Sequence, residues 1–372
     1  MSVLLSDLRF YGSANMPEAD GVTVGGAIDF TKRIEFEASL ISPSTLFDVV
    51  SSSAADTAVK IAYEGLDSTG VLQSETLTLN GTTKVNGTKS LERLLAGAIT
   101  GGAIAGIANP GGTAPVGDVA LISHTLVISG HTMQTGAANA TSSTPAIAKL
   151  QSGDGASVSV GQILHTTGGT GPNQIRRIIA INPGGLGADY VALDRNWGTV
   201  PDNTTTYEVG HGFHFELAGS NAGVAITGTS TQVLAISRLF IGAQAQVSGG
   251  STVTYYEKIF ANNNNQATAL TAAALEVLSN TPTLPSGAAL DLGLAAALND
   301  TATIANRQTA PSGITFTTQP AAVSVPSPQN LPASASAGSA AGAQGIWLRL
   351  TLNAGTPAYE GVSDLRATGS TT

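Results

Sequence analysis

Cysteine is absent from all 372 residues, so neither a disulfide nor a thiolate-held metal can contribute to the fold. Charge is scarce as well. Asp, Glu, Lys and Arg make up 11% of the chain, less than half of the roughly 25% common in soluble domains. The surface must then be solvated largely by hydroxyls, amides and backbone, which suits close packing in a crowded assembly better than an isolated cytosolic enzyme. The 16 Lys and Arg are scattered, Arg176-Arg177 being the densest pair, and the net charge is −9. Such a set cannot neutralise a row of phosphates, which argues against direct nucleic-acid binding. Aromatic residues reach only 5%, and the 2 tryptophans, Trp197 and Trp347, leave few platforms on which sugars could stack. Long hydrophobic runs are missing too. An uncharged interval from Leu94, LLAGAITGGAIAGIANPGG, meets Asn109-Pro110 short of the roughly 20 apolar residues of a spanning helix, so a buried or loop-lining Gly/Ala segment is expected and no membrane. The opening MSVLLSDLRFYGS has no basic stretch before an apolar one, so the expectation is no secretory signal and synthesis in a cytoplasm.

What is abundant is turn chemistry between short alternating runs. In VLQSETLTLN, Leu77 and Leu79 share one face and Thr76 and Thr78 the other; Asn80-Gly81 and Asn86-Gly87 then bracket TTKV as tight type I′ hairpins would. Residues 57–90 are therefore a predicted meander within an N-terminal β region, 1–108. Residues 109–156 have almost no charge, contain VALISHTLVIS, and are expected to be a boundary region. From Ser157 the runs SVSVGQILHTT, QIRRIIAINP, DYVALD and TTYEVGHGFHFEL, separated by Gly, Pro and Asn turns, predict a small β-roll or barrel over 157–212. The rest, 213–372, is a predicted C-terminal β region. It holds strands in VLAISRLFIGAQAQV and STVTYYEKIFANNNN, where Tyr255 and Glu257 alternate with Tyr256 and Lys258, and in IWLRLTL around Trp347. Ala and Leu predict short helices at LTAAALEVLSN from Leu270 and AALDLGLAAALND from Ala288. The Pro/Ala-rich 311–345 predicts an extended connector. The fold class expected is mainly β, with several β-sandwich or β-roll modules and a few short helices.

Reactive constellations fall short at each point. GTTKVNGTKS from Gly81 has the flavour of a phosphate-cradling loop but fails its spacing twice, and hairpin turns account for the glycines. GGTGPNQ from Gly168 starts like a dinucleotide fingerprint, yet Gln174 replaces the third glycine and RRIIAI continues as a strand. His211 and His214, with His124, His131 or His165, lack ligand spacing and would point to opposite faces of a strand. Glu35 with Glu37, or Glu208 with Glu216, could pair as acid and base in a glycan-cleaving site, but no nucleophile motif accompanies them. No catalytic residue, cofactor or metal is therefore expected.

GQILHTTGGTGPNQIRRIIAINPGGLGADYVALDRNWGTVPDNTTTYEV, Gly161 to Val209, resembles a small β module recurrent in structural proteins of tailed bacteriophages. The shared pattern is a G-x-I strand, a G-x-G-x-x-Q-x-R-x-I hairpin, a W-x-x-x-P-D turn and a closing Y-E-V strand. Weaker likenesses to the same proteins lie in DLRFYGSANMPEADGVTVGGAIDFTKRIEF, YYEKIFANNNN and GIWLRLTLNAGTPA; Ala261 and the stretch 280–310 depart from them. The resemblance implies a non-enzymatic virion protein present in several to many copies, a homo-oligomer whose partners are the major capsid protein or neck and tail components. A capsid-surface decoration or cement protein leads, with a neck, collar or tail-side protein and a host-glycan-binding appendage as alternatives. A secreted adhesin would need the export signal that is not expected here. The expected body is 1–108 with 213–372, the module being inserted or appended. Candidate structural or interaction residues are Trp197, capping one end of the module, Gln174 and Arg177, bonding turn carbonyls, and Tyr207, Trp347 and Tyr255.

Overall fold

The computed structural model describes residues 8–16, 21–34, 44–99, 110–134, 146–215, 235–236, 239–240, 243–281, 283–326, 330–334, 339–357 and 362–371. Among these the fold is mainly β, in several sheets, and helix is confined to single 3-10 turns at Asp154–Ala156, Pro183–Gly185 and Ala340–Gly342. The chain divides into two compact units, residues 1–34 with 237–372, and residues 35–236. This division cuts through the expected N-terminal region 1–108, so the body is not 1–108 with 213–372.

The unit built from both ends of the chain is a sandwich. Its larger sheet runs Val24–Arg33, Leu8–Asn15, Val253–Asn263, Gln344–Leu352, Ala288–Leu298 and Thr317–Thr318, with antiparallel neighbours throughout. A second sheet, Val323–Ser324, Thr271–Thr281 and Val362–Ser370, packs against it. Ile259, Leu292, Ile346 and Leu348 from the first meet Ala273, Leu275 and Val277 from the second. On the opposite face of the larger sheet, Tyr256 and Trp347 pack with Val24, Ile304, Ile314 and Phe316, so the central strand Val253–Asn263 is covered on both sides.

Both predicted helices are strands, Thr271–Thr281 and Ala288–Leu298. Their residues carry a period of two: Ala273, Leu275 and Val277, and again Leu290, Leu292 and Leu294, all enter one core. Alternation over a half-buried sheet outweighs the weak helix preference of Ala and Leu. Within 311–345 the described residues are largely extended, with a 3-10 turn at Ala340–Gly342, but they are packed where an unpacked connector is expected. Val325 and Leu331 join the core, and Leu331 exchanges backbone hydrogen bonds with Leu270. Of the expected strand VLAISRLFIGAQAQV, residues 235–236, 239–240 and 243–247 are described; Ala235–Ile236 is a short strand and the others form none.

The described residues of 35–236 form three further sheets. A four-stranded one runs Gly212–His214, Val119–Ser123, Phe47–Ser51 and Val85–Asn86; a three-stranded one runs Leu72–Thr78, Lys60–Leu66 and Arg93–Ile99. Phe47, Val49, Leu121 and Phe215 meet Ile61, Tyr63 and Ile99 in the core between them. The Lys60–Thr78 hairpin is the first part of the predicted meander, but Val85–Asn86 pairs with Phe47–Ser51 in the other sheet and not with Leu72–Thr78; Gly81 has φ 59° in the Asn80–Thr83 turn. Asn80, by contrast, lacks the positive φ of a type I′ turn, so that expected turn type is not formed. The uncharged Gly/Ala interval is in the strand Arg93–Ile99 at its start, and residues 100–109 lie outside the described residues.

The module is a six-stranded sheet in the order Ile147–Lys149, Tyr190–Leu193, Ile175–Ile181, Ile163–Gly168, Thr206–Gly210, Ile128–Thr132. It curls until its ends meet, Gln134 N–H donating to Lys149 O at 3.0 Å, around a core of Leu164, Ile178, Val191, Leu193, Trp197 and Val209. Its first two strands in sequence lie in the expected boundary region 109–156, and Val119–Ser123 of that region is central to the four-stranded sheet. These runs need no charge because they are interior: every residue of Val119–Ser123 is buried. The module is also fastened to its neighbour, with Ile163 and Ile175 packing on Val50, Ala120 and Ile122. Asp118 pairs there with both Arg176 and Arg195.

Candidate functional site

Within the module the hairpin loop after Ile163–Gly168 turns on Gly169, Gly171 and Asn173, with φ of 72°, 68° and 60°. A side chain at Gly169 would strike the Thr204 carbonyl oxygen at 2.0 Å, so glycine is needed both for its φ and for the close approach. Gln174 then clamps this loop to the Trp197 turn. Its Nε2 donates to Gly171 O (2.9 Å) and Thr199 O (2.7 Å), while its Oε1 accepts from Gly198 N–H (2.7 Å) and Thr199 N–H (3.2 Å). This is the bonding to turn carbonyls expected of Gln174.

The arginine that completes the clamp is Arg176 rather than Arg177. Arg176 donates to Ile175 O (2.7 Å), Asn196 O (2.7 Å) and Gln174 Oε1 (3.1 Å), and lies 5.2 Å above the Trp197 ring. Burial pulls its guanidinium down to about 10, still charged at neutral pH, and Asp194 opposes the shift. The Arg177 backbone N–H donates to Asp194 Oδ1 at 3.0 Å. Trp197 itself is 5% exposed, in the core. Tyr207 is fully buried; its hydroxyl donates to Asp154, which His131 Nδ1 also approaches at 2.8 Å, and accepts from Gln151 N–H at 3.0 Å. Burial, reinforced by Asp154, pushes the Tyr207 phenol far up, so it stays a donor.

Four of the five histidines partner carboxylates individually, and the His211 backbone N–H donates to Ser123 Oγ at 3.0 Å. His124 meets Asp48 (3.0 Å), His165 meets Glu208 (2.8 Å) and His214 meets Asp194 (3.2 Å), with Lys84 also on Glu208 at 2.6 Å. Burial pushes the Glu208 carboxyl up, but the bonds from His165 and Lys84 outweigh it and hold it below its usual range. Among the described residues no group of three His, Asp or Glu side chains is placed to hold a metal. Glu35, Glu37 and Glu216 lie outside the described residues.

The stretch resembling a phosphate loop has its anion already. Glu75 accepts from the Thr88 N–H (2.9 Å), the Thr88 hydroxyl (2.9 Å), the Lys89 N–H (3.3 Å) and the Tyr63 hydroxyl (2.7 Å). Gly87 makes the space, since a Cβ there would lie 2.2 Å from the Tyr63 hydroxyl. Burial alone would raise the Glu75 carboxyl; these donors outweigh it and hold it below its ordinary 4.5. A folded value below the unfolded one means the stabilisation is full above pH 4.5 and is lost as the pH falls through the folded value. Glu75→Gln should therefore lower the urea midpoint at pH 7 by the equivalent of about 1–2 kcal/mol and flatten the decline in stability at acid pH. Equal acid sensitivity in the variant would show that Glu75 is not the group responsible.

In the other unit, adjacent residues of one strand bury opposite charges. Glu257 is bound by Arg307 at 2.7 Å, and burial pushes its carboxyl up to about 7 against that pairing. Lys258 donates to Gly26 O (3.0 Å), Asp300 O (2.9 Å), Asp300 Oδ2 (2.6 Å) and Ala302 O (3.1 Å), flanked by the Phe260 and Trp347 rings. Burial lowers its ammonium, opposed by Asp300. Trp347 is 1% exposed. Tyr255 lies against Arg307, its hydroxyl donating to Gln244 O at 3.0 Å. The Asn run ends the strand with buried amides: Asn263 Nδ2 donates to Thr268 O (2.9 Å) and Leu331 O (3.1 Å). The candidate residues thus fall into separate internal networks. Sequence reasoning missed Arg176, and also Lys258, Asp300 and Glu75, whose partners are distant in the chain. Comparison with family models, curated proteins and solved structures finds no match.

Proposed function

We propose that this chain is a non-enzymatic structural protein of a tailed-phage particle, decorating the capsid surface as a cement protein with many copies in contact with the major capsid protein. The carrying observation is where its polar chemistry goes. Glu75, Gln174, Lys258 and the paired histidines are spent on holding turns and strands together, while the open strand 72–78 shows Leu72, Ser74, Thr76 and Thr78 outward. Such side chains favour broad contact without strong fields. The phage-like pattern at 161–209 supports the same reading, because its Gln, Arg and Trp work as a structural clamp. A neck, collar or tail-side position shares this chemistry. The glycan-binding alternative is less well supported, since both indoles are buried.

The test mixes the purified chain with empty heads and, separately, with tails of the parent particle. Co-sedimentation with heads is expected. Binding only to tails would move the protein to the tail side, and binding only to cells or polysaccharide, or turnover of a glycan, would overturn the proposal.

A further inference from the structure

A β-sheet edge offers a row of unpaired amides and carbonyls, and folds commonly blunt it by shortness, bulges or charge. Most edges here are blunted. Val85–Asn86, Thr317–Thr318 and Val323–Ser324 have 2 residues each, and Ile147–Lys149 and Gly212–His214 have 3. The pairings of Ile128–Thr132 and Arg93–Ile99 are broken by register shifts, and that of Val362–Ser370 is broken twice and carries the half-exposed Arg366.

Leu72–Thr78 has none of these devices. It is 7 residues long, holds unbroken register against Lys60–Leu66, and lies at the end of its sheet, with no further strand among the described residues beside it. It contains no Lys and no Pro. Its single charge, Glu75, is turned back onto Thr88 and Lys89. The exposed positions are Leu72, Ser74, Thr76 and Thr78, and exposed Val71 adjoins them.

We propose that a second copy of this chain adds its own Leu72–Thr78 antiparallel to this edge, about a two-fold axis at Glu75, making one six-stranded sheet from two of three. The strand suits its own reverse. Around that axis Ser74 faces Thr76 and Leu72 faces Thr78 of the second copy, so the open face sets hydroxyl against hydroxyl and aliphatic against methyl, while the two Glu75 carboxylates meet across the axis on the other face, each held by its own Tyr63, Thr88 and Lys89 donors. Leu72, the largest exposed apolar group on the strand at 57% exposure, is covered by the pairing. An isologous contact of this kind closes after two copies. The inference rests on the multi-copy assembly reading above, but its test uses no particles, so the two can fail separately.

Sedimentation of the full chain should give twice the monomer mass. The double substitution S74K/T76K opposes lysines across the axis and should weaken self-association about a hundredfold. The double substitution S74E/T76K instead opposes acid to base and should keep the dimer, a result that only this register produces. Both positions are exposed, so the far-ultraviolet circular dichroism of the variants should match the wild type and show that they fold. A monomeric wild type overturns the proposal, as does S74K/T76K associating as tightly as the wild type.

Discussion

Lys258→Met should destabilise its unit by about 3–5 kcal/mol, seen as a lower urea midpoint for the full chain. Met fills nearly the same volume, so little of the loss comes from a cavity. What disappears is the ammonium that gathers the Gly26, Asp300 and Ala302 carbonyls and the Asp300 carboxylate around one buried point. Those acceptors would be left partly buried without their donor, and the segment from Asn299 to Ile304 would lose its anchor to the central strand. The stem of Lys258 runs in a channel walled by glycine. A Cβ at Gly25 would stand 3.3 Å from Lys258 Cδ, and one at Gly345 would stand 3.3 Å from Cε. Arg, with its broader head, should therefore not rescue Met. Asp300→Asn keeps the carbonyl acceptors and should cost less. Superimposable unfolding curves for K258M and wild type would rule this account out.

Trp197→Ala should cost a similar amount, about 3–5 kcal/mol, as expected for deleting a large buried ring from a packed core. The ring lies inside the curled sheet with Leu164, Ile178 and Leu193, and Arg176 covers it. Removing it opens a cavity and also takes the platform from a buried guanidinium whose hydrogen bonds hold the Asn196 carbonyl and Gln174. The measurement belongs on the whole chain, because the module includes Ile128–Thr132 and Ile147–Lys149 and shares a core with Val50 and Ile122. A variant that melts with the wild type would place the ring outside the load it is assigned.

Strand and turn chemistry was legible where alternation is clean and turn residues bound it. The hairpin ending at Thr78, the strands from Ile163 to Gly210 and the strand Gln344–Leu352 could all be located from their periods and glycines. Legibility failed where Ala and Leu, or a lack of charge, hid the alternation. Ala288–Leu298 reads as a helix because Ala and Leu fill it, and only the spacing of Leu290, Leu292 and Leu294 reveals the sheet. Val119–Ser123 reads as a boundary because it has no charge, although absence of charge is what an interior strand requires. The clamp at Gln174 was readable because its partners lie in neighbouring turns. Choosing between Arg176 and Arg177 was not, since alternation says that they diverge without saying which faces the ring. Lys258 and Asp300 are 42 positions apart, and no local pattern couples them.

The strand Leu8–Asn15 has Val253–Asn263 as a lateral neighbour, with Leu8 opposite Asn263. A ribosome working at roughly 5–20 residues per second therefore needs on the order of 10–50 s between releasing the first strand and supplying its mate. Residues 35–236 emerge complete in that interval, so they are free to fold first while the leading hairpin waits. Nascent chains stalled before Val253 should thus carry a protease-resistant middle and a cleavable beginning, and the last third of translation is what converts the beginning into sheet.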